Sequence, residues 1–522
     1  MGRTVPRRTA LRTAAVGVLA GAVAGAGSSC SSPPGRPGSG RSTGPLGSGS
    51  ARRHVVTVRA DAHAALLPPG TEPSVALARE LLARATAVVV VAPDTVAAGT
   101  PVATALGIPL LVWGRGTPAE LDRLGAGTVV RVPADRPSAA ATPTPTAAAT
   151  LPTRFGDREV VDARRAEVPE VEGLPLRAPA HRAVAVRRAG EPVPAACTAT
   201  LAAVGATTVE VEAEDVRRAA TGRTTIRAAA EAVVVGVTAG LGPPAHFGQR
   251  VRTVRRAAEL PGGGFLPFPE RRMVALYGHP RTASLGMLGE QPPARSVARA
   301  KALAAQYGRL SGERFVPAFE LIATVASGSP GSDRSYSSRT PIRVLEPWVE
   351  AAADAGVYVV LDLQPGRTDF LTQARAYEPL LRRPHVGLAL DPEWRLKPGQ
   401  VHLEQIGSVG IDEVNAVGAW LAALVREHDL PPKVLTLHQF SLAMIRGRQR
   451  LDTGLDEVQW LVHADGQGSQ SAKQATWAAL KRDLPEGVWL GWKNFEDEDH
   501  PMLTPAQTLD RVRPAPSFVS YQ

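Results

Sequence analysis

From Met273 onward, apolar positions fall into short unbroken runs separated by amphipathic stretches. The runs Met273–Tyr277, Phe315–Ile322, Val357–Leu361, Val386–Leu390, Lys433–Leu437, Val458–Val462 and Val488–Trp492 are dominated by apolar and small residues. Runs without clean alternation predict strands buried on both faces, as in parallel sheets. Between them, Arg295–Tyr307, Ile342–Ala355, Asp369–Leu381, Ile411–His428, Ser441–Arg450 and Ala472–Lys481 predict helices. Strand and helix in regular alternation over about 250 residues predict a TIM-type (β/α) barrel. Only seven such strands are evident. Either Phe265–Phe268 adds an eighth or the barrel is incomplete, and a doubly wound open sheet is the competing arrangement.

The region 54–260 shows shorter α/β units. His54–Arg59 alternates and predicts a first strand, Pro73–Ala85 a helix, Ala87–Ala92 a buried strand and Val96–Leu106 a helix. Pro109–Trp113, Thr117–Leu124 and Thr128–Val132 continue as strand, helix and strand. Ala196–Val211 and Ala230–Val237 read as degenerate second and third repeats. The whole is expected to be a Rossmann-like parallel α/β region. No Gly-x-Gly-x-x-Gly follows a strand, so a dinucleotide site is not supported. Residues 134–152, rich in Ala, Thr and Pro, predict a low-complexity linker. Pro261-Gly262-Gly263-Gly264 predicts a tight turn; no lysine-serine pair follows to make it a phosphate cradle.

The segments Ala87-Val-Val-Val-Val-Ala-Pro-Asp-Thr, Pro101-Val-Ala-Thr-Ala-Leu-Gly-Ile-Pro-Leu-Leu-Val and Glu120-Leu-Asp-Arg-Leu-Gly-Ala-Gly-Thr-Val-Val resemble one type 2 cell-wall-binding repeat. The resemblance implies a role in attachment to bacterial envelope polymers. Residues 261–522 carry Tyr277-Gly-His-Pro, Val359-Val-Leu-Asp-Leu-Gln-Pro-Gly, Leu390-Asp-Pro-Glu-Trp and His463-Ala-Asp-Gly-Gln-Gly. In these they resemble exported actinobacterial proteins without an established activity, which implies a domain layout and no reaction.

Charge changes the picture at one end only. The formal net charge is +10, yet residues 1–53 hold eight arginines and no acid, leaving the remainder at 51 basic against 49 acidic residues. A near-neutral folded part argues against nucleic acid as a partner. Arg7-Arg8-Thr9-Ala10-Leu11-Arg12 precedes the apolar run Ala14–Ala26, which together read as a twin-arginine-like export signal over 1–30. Cys30 stands where a lipoprotein signal places its lipidated cysteine, so a membrane partner through a lipid anchor is expected. Residues 31–53, mostly Ser, Gly, Pro and Arg, predict a flexible tether. With Cys30 lipidated, Cys197 is the one remaining cysteine; it reads as a small core residue, and a cysteine metal site is excluded.

The predicted barrel strands deliver polar residues to one rim. These are His279 after the first, Glu320 in the second, Asp362 and Gln364 after the third, and Asp391, Glu393 and Trp394 after the fourth. His438 follows the fifth, His463 and Asp465 the sixth, and Trp492 and Lys493 the seventh. TIM-barrel chemistry sits at such rims. Glycoside hydrolysis needs a protonated acid and a second carboxylate, with aromatic faces for sugars. Glu393 is therefore expected to be the acid, with Asp391, Asp465 or Asp362 as partner. His279, Glu320, Gln364, Trp394, His438, His463, Trp492 and Lys493 are expected to bind substrate, with Tyr277 as a further stacking ring. No cofactor is expected and no metal ligand is assigned; the partner is envelope polysaccharide. Two alternatives remain: a metal-dependent hydrolase using His279, Asp362, His438, His463 and Asp465, and a non-catalytic glycan-binding barrel.

Overall fold

A computed structural model describes residues 54–133, 151–164, 167–177 and 183–522. The segments read as an export signal and a tether, with Cys30, and nearly all of the 134–152 segment lie outside the described residues. Among these residues no helix is long and apolar enough to cross a membrane.

The C-terminal half is a closed barrel of eight parallel strands. In chain order these are β1 (Arg272–Gly278), β2 (Phe315–Ala326), β3 (Tyr358–Leu363), β4 (Val386–Leu390), β5 (Lys433–Gln439), β6 (Val458–Ala464), β7 (Trp489–Asn494) and β8 (Phe518–Tyr521). Each pairs with its neighbours in sequence, and β8 closes the ring by pairing with both β7 and β1. The eighth strand is thus the C-terminal segment. Phe265–Phe268 is not a strand. Phe268 plugs the N-terminal end of the barrel, its main chain held by both ends of the Gln459 amide at 2.7 and 2.9 Å, and it packs on Met273, Tyr358 and Phe518.

Period-two alternation sorts the strand residues into two layers. Met273, Ala275, Ala318, Tyr358, Val360, Ala389, Val434, Leu461 and Phe518 fill the barrel interior. Their neighbours along each strand, such as Val274, Phe319, Val359, Leu388, Leu435, Trp460 and Val519, pack against the surrounding helices. Pro293–Ser311, Ile342–Ala355, Ile411–Glu427 and Gln470–Lys481 belong to that helical layer. The helix expected over Asp369–Leu381 is two pieces, Phe370–Ala376 and Glu378–Leu381. The helix expected over Ser441–Arg450 does not form. Short 3-10 turns at Leu442–Met444 and Arg448–Arg450 flank a strand, Ile445–Arg446, that pairs in parallel with Val409–Gly410. Gly447 turns the chain at φ +78°, a left-handed conformation that breaks a helix across this segment.

The N-terminal half contains two parallel four-stranded sheets. One has the order Leu110–Val112, Ala87–Val91, Thr128–Val132, Glu159–Asp162; the other has Ala64–Leu66, Val233–Gly236, Ala183–Arg188, Thr207–Val211. The helix expected over Pro73–Ala85 stops at Leu81, and Leu82–Ala85 becomes a strand antiparallel to Val56–Val58. There, satisfying the open edge of Val56–Val58 outweighs continuing the helix by one turn. Cys197 is fully buried, its thiol pushed up to about 12 by burial and by the nearby Glu72 charge, so it is an inert core residue. The three glycines of the 262–264 turn all have positive φ. The turn presents the carbonyls of Pro261, Gly262 and Gly263 to the guanidinium groups of Arg271 and Arg314. A loop that aims carbonyls inward holds cations, so no phosphate cradle is formed.

Candidate active site at the C-terminal rim

The interior face of the barrel changes from apolar to polar at the carboxyl ends of the strands. Tyr277, Glu320, Asp362, Asp391, His438, His463, Lys493 and Ser520 lie two positions beyond interior residues such as Ala275, Ala318, Val360, Ala389, Thr436, Leu461, Gly491 and Phe518, so alternation points them inward as well. Gly491 is small for a reason: a Cβ there would meet the His463 ring at 2.5 Å.

His438 organises the centre. Its Nε2–H donates to Glu320 Oε1 at 2.7 Å, and its Nδ1 lies 3.2 Å from Asp465 Oδ2. With a carboxylate at each ring nitrogen, both nitrogens act as donors and the ring is an imidazolium. Burial opposes that charge, but Glu320 and Asp465 overcome it and raise His438 well above its ordinary value. Burial likewise pushes Glu320 up, and the His438 charge and hydrogen bond more than reverse it. His463, with Nδ1 at 3.4 Å from His438 Nδ1 and Nε2 at 3.2 Å from Ser520 Oγ, is held down to about 3 by burial and is neutral.

A second cation completes the frame. Lys493 Nζ lies 3.2 Å from Asp465 Oδ1 and 3.4 Å from the centre of the Tyr277 ring. The Tyr277 hydroxyl donates to Asp362 Oδ2 at 2.9 Å and accepts from the Gln364 amide at 3.3 Å. Tyr277 is therefore committed to positioning Asp362, and its ring to Lys493, rather than offering a free sugar-stacking face. Burial, with the Glu320 charge, raises Asp362 to about 6 despite the nearby His438 charge. Asp391 is pushed well above its ordinary value, first by burial and then by the Glu393 and Asp362 charges, which favours its protonated form. Carboxylate oxygens Glu320 Oε2, Asp362 Oδ1 and Asp391 Oδ1 are buried without a hydrogen-bond partner.

Glu393 differs from these residues by being only half-buried, on the 3-10 turn Pro392–Trp394 directly after β4. One ligand atom each from Asp391, Glu393 and Asp465 lies within 4.8 Å of the others. The same is true of Glu320, His438 and His463. The Glu393 turn is clamped from outside, because Gly407 N–H donates to the Glu393 carbonyl at 2.7 Å. A Cβ on Gly407 would meet that oxygen at 2.4 Å, so only glycine allows the loop to lie this close.

Of the residues expected at the rim, Glu320, Asp362, Gln364, Asp391, Glu393, His438, His463, Asp465 and Lys493 come together here. Three lie elsewhere. Trp492 faces the helical layer, its ring 5.7 Å from Trp477 and its indole N–H on Asn494. It sits one residue from Lys493, and alternation sends it outward. His279 turns to Thr340 at 3.0 Å and is held down to about 4 by burial. Trp394 packs its ring against His402 at 5.3 Å. Ser520 is the inward-facing residue not anticipated, because its strand was not.

The Ser327–Ser338 loop after β2 is a tied hairpin. Ser337–Arg339 pairs antiparallel with β2, and Arg367 stacks on the Tyr336 ring at 4.3 Å. The acidic run after β7 is also fixed. Asp499 is buried, pairs with Lys473 at 2.9 Å and accepts from the main-chain N–H groups of Gly468 and Phe495, while Glu496 and Asp497 stay exposed.

No protein-family model matches the chain, and no curated protein matches it.

Proposed function

We propose that the barrel is a glycoside hydrolase acting on envelope polysaccharide. The reading is carried by one observation: Glu393, half-exposed at the rim, shares a 4.8 Å neighbourhood with Asp391 and Asp465. Carboxylate oxygens no more than 4.8 Å apart leave less room than the ~6.5–9.5 Å that admits an attacking water between carboxyl groups, which favours the retaining arrangement. In this reading Glu393 gives its proton to the glycosidic oxygen as that bond breaks. Asp465, ion-paired with His438 and Lys493, forms the bond to the anomeric carbon. A water deprotonated by Glu393 then displaces Asp465. A proton on the buried Asp391 would keep a second full negative charge away from Glu393. The export signal, the lipid anchor at Cys30 and the repeat-like, Rossmann-like N-terminal region belong to the same proposal: they would deliver the barrel to the envelope and hold it there.

A metal-dependent hydrolase is the second reading. It rests on the same three carboxylates together with oxygens of Glu320, Asp362 and Asp391 that accept no hydrogen bond, a donor set that suits a hard divalent cation. The proposal is tested by incubating the exported chain with envelope polysaccharides and measuring new reducing ends. Glu393→Gln should lower the rate by about two to four orders of magnitude, the usual worth of a positioned acid–base group, with the circular dichroism spectrum unchanged. Activity should survive EDTA; loss with EDTA and restoration by a divalent cation would transfer the assignment to the metal hydrolase.

A further inference from the structure

Exposed large apolar side chains are few among the described residues, and three of the six lie on two adjoining loops at the site's rim. Leu403 is 60% exposed and Ile406 45% exposed, both on the loop after β4; Leu442 is 40% exposed on the loop after β5. The parallel pairing of Val409–Gly410 with Ile445–Arg446 joins those loops side by side, three residues after Ile406 and Leu442 respectively. Both loops lead back to the site. Ile406 precedes Gly407, whose N–H holds the Glu393 carbonyl, and Leu403 follows His402, whose ring packs on Trp394. Leu442 lies four residues past His438. Leu403 is also held at φ +69°, a costly conformation for a branched side chain, and there it points an apolar group at solvent. Charged groups at the barrel rim, with exposed apolar side chains on the adjoining loops, match a ligand with a polar head and a hydrocarbon tail.

We infer that the lip formed by Leu403, Ile406 and Leu442 holds the alkyl portion of an amphiphilic glycan whose sugar lies at the carboxylates. The substrate is then a lipid-linked sugar rather than a free polymer end. This rests on the hydrolase reading for the identity of the head group, while the tail site stands on its own geometry.

The test uses alkyl maltosides of six, eight and ten carbons, each below its micelle concentration, with binding to the full chain followed by calorimetry. Dissociation constants should fall with chain length, by up to about fourfold for each methylene that is fully buried. The Leu403→Ser/Ile406→Ser/Leu442→Ser variant should lose that dependence, as should Leu403→Ser alone in part; all three side chains are exposed, so the fold should be unaffected. Equal affinity across the series, or the same dependence in the variants, would overturn the inference. So would a concentration-dependent dimer in sedimentation that the same substitutions abolish, since a second copy would then be the occupant. Chain-length dependence without any polysaccharide cleavage would strike the hydrolase reading and leave the tail site standing. Cleavage without chain-length dependence would do the reverse.

Discussion

His463 shows how much of the site's behaviour is decided residue by residue. It is fully buried beside an imidazolium and held down to about 3, whereas in the unfolded chain it titrates near about 6.5. Between those values the unfolded state binds a proton that the folded state refuses, so stability falls as pH drops from about 6.5 toward 3. Asp362 works against this. Its folded value is raised to about 6, so it binds a proton in the folded state first, and that contribution is lost as pH rises toward 6. His463→Asn should therefore flatten the pH dependence of the urea midpoint between pH 4 and 6.5, and Asp362→Asn should steepen it. An unchanged slope in His463→Asn would mean that the ring is protonated in the folded protein. The site residues were legible because each strand ends its inward-facing series on a polar group: Glu320, Asp362, His438, His463 and Lys493 all follow two residues after a small or apolar one. Trp492 misled because proximity to a strand end says nothing of parity. Glu320 pairs with His438 across 118 residues of chain, and no local pattern announces which histidine answers which carboxylate.

At the scale of elements, seven strands showed in the sequence because both of their faces are buried, one by the barrel interior and one by the helices. The eighth did not. Phe518–Tyr521 is four residues long, follows Pro514 and Pro516, and places Ser520 inward, so it carries neither a long apolar run nor a clear alternation. Only closure of the ring makes it a strand, and closure is a property of the whole sheet. The fit between helices and barrel is also set by details that periodicity does not show. Gly418, inside the helix Ile411–Glu427, lies against Trp460 of β6, where a Cβ would stand 2.5 Å from the indole ring. Trp460 has little freedom to retreat, since its indole N–H donates to the Asp452 carbonyl at 2.9 Å. Alanine there would gain about 1 kcal/mol of helix propensity. Overpacking costs about 1–3 kcal/mol, so the clash should win. Gly418→Ala is expected to lower the urea midpoint; a more stable variant would show that the helix shifts freely on the barrel.

Over the whole molecule, the N-terminal sheets and the barrel are joined at the barrel end opposite the site, and the joint is electrostatic. Asp456, just before β6, receives Arg217 at 2.9 Å and Arg250 at 2.8 Å, and both arginines come from the N-terminal half. Asp215 supplies the second carboxylate, 2.7 Å from Arg217. All four groups are largely buried, so the cluster is worth little in net stability while complete and costs much when broken. Asp456→Ala would leave two guanidinium groups facing each other over a single carboxylate. Losing one partner of a buried pair costs about 3–5 kcal/mol, and here that loss falls on the joint rather than on either core. The intact protein should unfold in one calorimetric transition. The variant should show two, with protease cleavage appearing between the helix ending at Arg256 and β1. High salt should not reproduce the effect in the wild type, because screening acts weakly on buried pairs. The exposed Arg256–Asp429 contact serves as the control: its removal should change stability by no more than about 1 kcal/mol. If the barrel is the hydrolase proposed above, its rate in the variant below the first transition should be unchanged, since the cluster lies at the opposite barrel end; a parallel loss of activity would show that the N-terminal half shapes the site through the barrel.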